Sequence, residues 1–84
     1  MKWRGKVSVY LKEKVYDPQG AALSRTLQER GYPVGDIRVG KKMELEIESP
    51  SRKEAEQRLA EICAEVLANP VIEDFDYFVE EMEQ

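Results

Sequence analysis

The sequence contains no histidine and a single cysteine, Cys63. The first absence removes the side chain that most often serves as a general base or a metal ligand near neutral pH. The second excludes an intrachain disulfide and leaves Cys63 without a second soft ligand for zinc. No run of about 18 apolar residues occurs and no basic-then-apolar leader opens the chain, so a cytoplasmic protein with no membrane association is expected. Basic charge is also short overall: 13 Lys and Arg against 17 Asp and Glu leave a net charge of −4. Nucleic-acid binding draws most of its affinity from phosphate neutralisation, so that class of partner is disfavoured.

What is present fits one small domain, residues 1–84. A core of this size rarely supplies more than about 3–5 kcal/mol. With disulfides and metals excluded, self-association is the stabilising route left, and a homodimer is expected. The charge is uneven. Residues 1–14 hold Lys2, Arg4, Lys6, Lys12 and Lys14 against Glu13, whereas residues 71–84 hold Glu73, Asp74, Asp76, Glu80, Glu81 and Glu83 with no cation.

Apolar residues at Val7, Val9 and Leu11 alternate with polar ones, the period of a half-buried strand. Asp17-Pro18-Gln19-Gly20 starts a helix, with Asp as N-cap and Pro at the first turn, and Gly31 stops it. Asp36 to Val39 reads as a short strand. Gly40-Lys41-Lys42 reads as a turn into the strand Met43 to Glu48, making a hairpin. Ser51 with Glu54 forms a capping box before an apolar stripe of Ala55, Leu59, Ile62, Cys63, Val66 and Leu67. Asn69-Pro70 ends that helix, with Asn69 suited to a left-handed conformation, and Val71 through Met82 form a last strand with a frayed acidic tail. The order β-α-β-β-α-β is that of an α+β two-layer sandwich of ferredoxin-like type, an antiparallel sheet with two helices on one face. Placing the basic first strand between the two acidic ones would pair opposite charges across the sheet.

Chemistry is hard to find in this inventory. Cys63 lies on the apolar stripe and has no base to activate it, so it reads as a small buried hydrophobe. Glu44, Glu46 and Glu48 share one strand face, which reads as a solvated or lysine-paired surface rather than a cation site. Gly40-Lys41-Lys42 feeds a strand, where a phosphate loop would feed a helix. Tyr10 and Phe78 fall on the polar phase of their strands. They read equally as isolated exposed aromatics or as a face covered by a second copy. No catalytic residue and no cofactor or metal ligand is assigned.

Three stretches carry a resemblance: Val15-Tyr16-Asp17-Pro18-Gln19-Gly20, Ile37-Arg38-Val39-Gly40-Lys41-Lys42-Met43-Glu44-Leu45, and Leu67-Ala68-Asn69-Pro70-Val71-Ile72-Glu73-Asp74-Phe75. In order and spacing the chain resembles the PurS family, the small subunit of phosphoribosylformylglycinamidine synthase. The resemblance implies a non-catalytic homodimer acting in purine biosynthesis. It would join a glutaminase subunit of PurQ type to a synthetase subunit of PurL type and support ammonia transfer between them. ATP and Mg would be used by the complex, with neither bound by this chain alone. On that reading Asp17, Pro18, Gln19, Gly20, Arg38, Gly40, Lys41, Lys42, Asn69 and Pro70 are the candidate docking residues, and Tyr10 and Phe78 the candidate dimer-face residues. The alternative is an ACT-like regulatory domain, which shares the element order and binds small metabolites between paired domains. An RRM-type RNA-binding domain fits poorly, because its aromatic strand motif is missing.

Overall fold

A computed structural model describes residues 1–82; Glu83, the last acid of the expected tail, lies outside them. The element order is β1 (Lys2–Leu11), α1 (Pro18–Glu29), β2 (Gly40–Glu48), α2 (Arg52–Ile62), a π-helical turn (Cys63–Leu67) and β3 (Glu73–Glu81). All strands pair antiparallel in the order β2-β1-β3, which places the basic strand between the two acidic ones.

Strand alternation divides the sheet into two faces. Outward, Lys2, Arg4 and Lys6 stand opposite Glu48, Glu46 and Glu44, and Arg4 also stands opposite Glu80 on the other side. Lys6 Nζ reaches Glu80 at 3.3 Å, and Lys12 Nζ bonds Asp74 at 2.8 Å. Inward, Trp3, Val7 and Val9 meet Ile47 and Val79, and this face is sealed by Ala55 and Leu59 of α2 and by Cys63 at the start of the π turn, all three fully buried. The start of α2 is fixed by Ser51, whose hydroxyl caps the Glu54 N–H, and by Arg52. The Arg52 guanidinium lies 5.3 Å from the Trp3 ring centre and donates to the Val79 carbonyl at 2.7 Å.

Four local features differ from the sequence reading. Residues 36–39 run between α1 and β2 without forming a strand, because their polar groups bond to the start of α1 and to the chain after β1 rather than to a ladder. Gly40-Lys41-Lys42 opens β2 instead of turning into it, so there is no hairpin at this point. Val66 is 75% exposed rather than part of the buried stripe. The Ala68 N–H bonds the Cys63 carbonyl, five residues back, and the extra residue in that turn rotates Val66 outward and Ala68 into the core. Asn69 is not left-handed; its side-chain oxygen instead accepts the Val71 N–H at 3.1 Å, a turn closed by the side chain.

The two helices are used differently. α1 begins as expected, with Asp17 capping the Gly20 N–H and Pro18 in the first turn. It ends at Gly31, whose φ of 89° suits glycine. The Tyr32 and Gly31 N–H groups bond the Leu27 and Gln28 carbonyls, a Schellman closure. Within α1 only Gly20 is buried, and Leu23 is half exposed. The return segment folds back along α1, held by Ser24 Oγ to the Gly35 carbonyl at 2.6 Å and Gln28 Nε2 to the Val34 carbonyl at 2.9 Å. α2 covers the sheet, and α1 with its return segment extends the molecule to 51 × 29 × 14 Å.

Candidate functional site

Beyond the region sealed by α2, the inward face of the sheet ends in two charges. Lys41 and Glu73 occupy the inward phase of β2 and β3, opposite Val9 and Leu11 of the central strand. A charge on the apolar phase of a strand marks a place where the core has stopped. Here the two approach each other, with Lys41 Nζ 3.9 Å from Glu73 Oε2. Lys41 is exposed, so the pair contributes little to stability, under about 1 kcal/mol.

The start of α1 is brought to the same end by Asp17. One carboxylate oxygen takes the Gly20 N–H at 2.9 Å and the other takes the Val39 N–H, one residue before β2, at 2.7 Å. Asp17 is only 5% exposed. The Val39 and Gly20 amides, with the Arg38 charge beside them, hold its carboxyl below the ordinary carboxylate range. Arg38 folds back and donates from Nη2 to the Lys12 and Val15 carbonyls, both at 2.9 Å.

The result is a cleft of about 360 Å³ walled by Val9, Leu11, Pro18 and Val39, with Tyr10, Asp17, Gln19, Gly40, Lys41 and Glu73 around it. A second cleft of about 340 Å³ adjoins it, sharing Tyr10 and Glu73 and lined by Lys12, Ala68 and Pro70. Glu73 joins the two, because its Oε1 accepts the Asn69 N–H at 2.7 Å while Oε2 faces Lys41. The three stretches singled out in the sequence therefore converge at one end of the molecule. Asp17, Pro18, Gln19, Gly40 and Lys41 line the first cleft and Pro70 the second, with Asn69 tied in through Glu73. Gly20 and Arg38 brace the site from behind. Lys42 falls outside it, on the outward face 3.7 Å from Glu44.

Glu73 is the residue the sequence reading did not select. Its signal was legible: it precedes Phe75, Tyr77 and Val79 on the same strand phase, so a carboxylate stands where an apolar side chain is expected.

Tyr10 and Phe78 share the outward face without touching. Tyr10 stands opposite Asp74 and Phe78 opposite Lys6, four residues earlier on β1. Each has its own polar neighbour. The Tyr10 hydroxyl donates to Asp76 at 3.3 Å, and Lys6 Nζ lies 5.9 Å from the Phe78 ring centre. Partial burial of the Tyr10 phenol, then the nearby Asp76 charge, raises its pKa above the ordinary value.

In chemical terms the cleft offers a cation, a primary amide at Gln19 and an apolar wall. Cys63 is remote from it, in the core under α2, where burial pushes its thiol pKa up and away from a reactive thiolate. Among the described residues no cluster of carboxylates or thiols is arranged to hold a metal.

Comparison with known proteins relates most of the chain to a single family. Residues 4–81 match the family model described as PurS: Phosphoribosylformylglycinamidine (FGAM) synthase. The chain is 47% identical over 81 residues to the phosphoribosylformylglycinamidine synthase subunit PurS of Bacillus subtilis, covering 95% of each sequence. Its fold superposes on Thermus thermophilus PurS with a TM-score of 0.88 at 32% identity, covering 99% of this chain and 100% of that one. It also superposes on a chain of the PurLQS structure from Thermotoga maritima, with a TM-score of 0.86 at 31% identity over 95% of this chain and 99% of that one. A match of this extent in both sequence and fold settles the lineage: the chain belongs to the PurS family of phosphoribosylformylglycinamidine synthase subunits.

Proposed function

We propose that the chain is the non-catalytic adaptor of an FGAM synthase in purine biosynthesis, joining a glutaminase of PurQ type to a synthetase of PurL type. The observation that carries this reading is the convergence of its three family-like segments on one surface. ATP and Mg act in the synthetase partner. The adaptor's contribution is geometric. Ammonia released by a glutaminase is mostly ammonium once it equilibrates with water at neutral pH, and it is then no longer nucleophilic. Docked active sites keep it dry and at high effective concentration.

Gln19, Lys41 and Pro70 form the contact rim in this reading, and Asp17, Gly20, Arg38 and Asn69 give the rim its shape. The chain works as one unit and as a homodimer in the cytoplasm. Tyr10 and Phe78, both exposed on the outward face of the sheet, are the candidate contacts between copies. No described helix is long and apolar enough to cross a membrane.

The test is reconstitution with cognate glutaminase and synthetase. Lys41→Glu reverses the charge of the rim, which the fold engages only through the 3.9 Å contact with Glu73. It is expected to lower glutamine-dependent turnover at least about tenfold, as for disruption of one contact of about 1.4 kcal/mol or more. Turnover with ammonium supplied directly to the synthetase stays unchanged. Unaltered co-elution and glutamine-dependent turnover in Lys41→Glu and Gln19→Ala would remove this end of the molecule from the interface.

A further inference from the structure

We propose that Asp17 and Arg38 form a polar latch that sets the angle of a separate arm, residues 18–37, against the sheet and α2. The arm is held together by its own bonds. Ser24 and Gln28 pin the return segment along α1, and the Schellman closure at Gly31 turns the chain between them. Its attachment to the body is narrow. α2 packs on the sheet through Ala55 and Leu59, continued by Cys63 of the π turn, whereas the only buried residue of α1 is Gly20, at the end nearest the sheet. The chain leaves the body after β1 and re-enters it at β2, and the polar bonds between the two crossings are concentrated at that one place.

Three hydrogen bonds make the latch. Asp17 Oδ2 takes the Val39 N–H at 2.7 Å, linking the residue before α1 to the residue before β2. Arg38 Nη2 bonds the Lys12 and Val15 carbonyls, linking the return crossing to the outgoing one. Within the root of the arm, Gly20 lies so close to Ile37 that an added Cβ would be 1.8 Å from its carbonyl oxygen, so the two ends of the arm are held tightly side by side. Asp17 therefore has two separable roles. Oδ1 caps α1 through the Gly20 N–H, a duty any good N-cap performs, and Oδ2 closes the latch, which a single-oxygen cap does not. The competing account is that apolar packing of Val15, Ala21, Ile37 and Val39 fixes the arm without help.

The substitution that divides the roles is Asp17→Ser, which keeps the cap, combined with Arg38→Met, which keeps the stem and removes the donors. Spin labels at Arg25→Cys on α1 and Lys53→Cys on α2 report the arm angle; both positions are exposed, and Cys63 is fully buried and stays unlabelled. Doubly labelled chain diluted in excess unlabelled chain removes distances between copies. A single narrow distance is expected before the latch is broken and a broad distribution after it. Exchange of the Val39 amide is expected to rise about tenfold or more while α1 and β1 amides keep their protection. A distance that stays narrow in the double variant, or a Val39 amide that stays protected, overturns the proposal. If the double variant loses β1 protection, Arg38→Met alone decides on the same criterion: broadening supports the latch and an unchanged narrow distance rejects it. The readout needs only this chain and does not depend on its role in a complex.

Discussion

Gly20 lies in the first turn of α1, where alanine would be favoured by about 1 kcal/mol on helix propensity alone. The opposing effect is steric, since a Cβ there would overlap the Ile37 carbonyl oxygen at 1.8 Å, and backbone cannot yield as a flexible side chain does. Overpacking of this kind costs about 1–3 kcal/mol and often more when backbone must move, so the steric term wins. Gly20→Ala is expected to lower the urea midpoint of unfolding, and an unchanged or raised midpoint would contradict the close approach. Asp17 gives a pH dependence. Its folded carboxyl is held below the ordinary 3.8, by the Val39 amide first and the Gly20 amide next. The stability it contributes is thus complete above that value and is lost as pH falls through the lower folded value. Asp17→Asn cannot ionise, so its stability is expected to fall less steeply with acid than that of the parent below pH 3.8, in thermal melts at matched ionic strength. The capping role of Asp17 was legible in the sequence because a cap acts within three residues. Its bond to Val39 spans 22 positions, and local pattern carries no signal for it.

α2 shows how a sound periodic reading drifts at the scale of an element. Ala55, Leu59 and Cys63 are fully buried as the 3.6-residue stripe requires. The π turn that follows adds one residue to the turn and carries Val66 to the surface. Leu59→Ala is therefore expected to cost about 2–5 kcal/mol and Val66→Ser to stay within about 0.5 kcal/mol in chemical denaturation. Equal costs would mean that the helix continues in regular register past Cys63. The segment 36–39 failed as a strand for a related reason. Alternation identifies an extended chain, but a strand also needs a partner, and the Val39 N–H and the Arg38 side chain are engaged elsewhere. The long alternations of β1 and β2 do find ladder partners, which is why the sheet was readable and the connection was not.

For the whole molecule, charge was the most informative feature of the sequence. The basic first strand lies between the acidic ones, Lys6 bridging to Glu80 and Lys12 to Asp74. The convergence of three distant segments could not be read from spacing, because it depends on β1 standing centrally, with β2 and β3 ending beside it. Glu73 became visible as their junction only in the fold. Family membership supplies which partners to test. The most direct measurement is glutamine-dependent FGAM synthesis by the cognate glutaminase and synthetase, with and without this chain, alongside co-elution of the three. The account predicts that the chain co-elutes with both enzymes under turnover conditions and that omitting it abolishes glutamine-dependent synthesis while ammonium-dependent synthesis continues. Full glutamine-dependent activity without the chain, with no co-elution under any substrate condition, would contradict it.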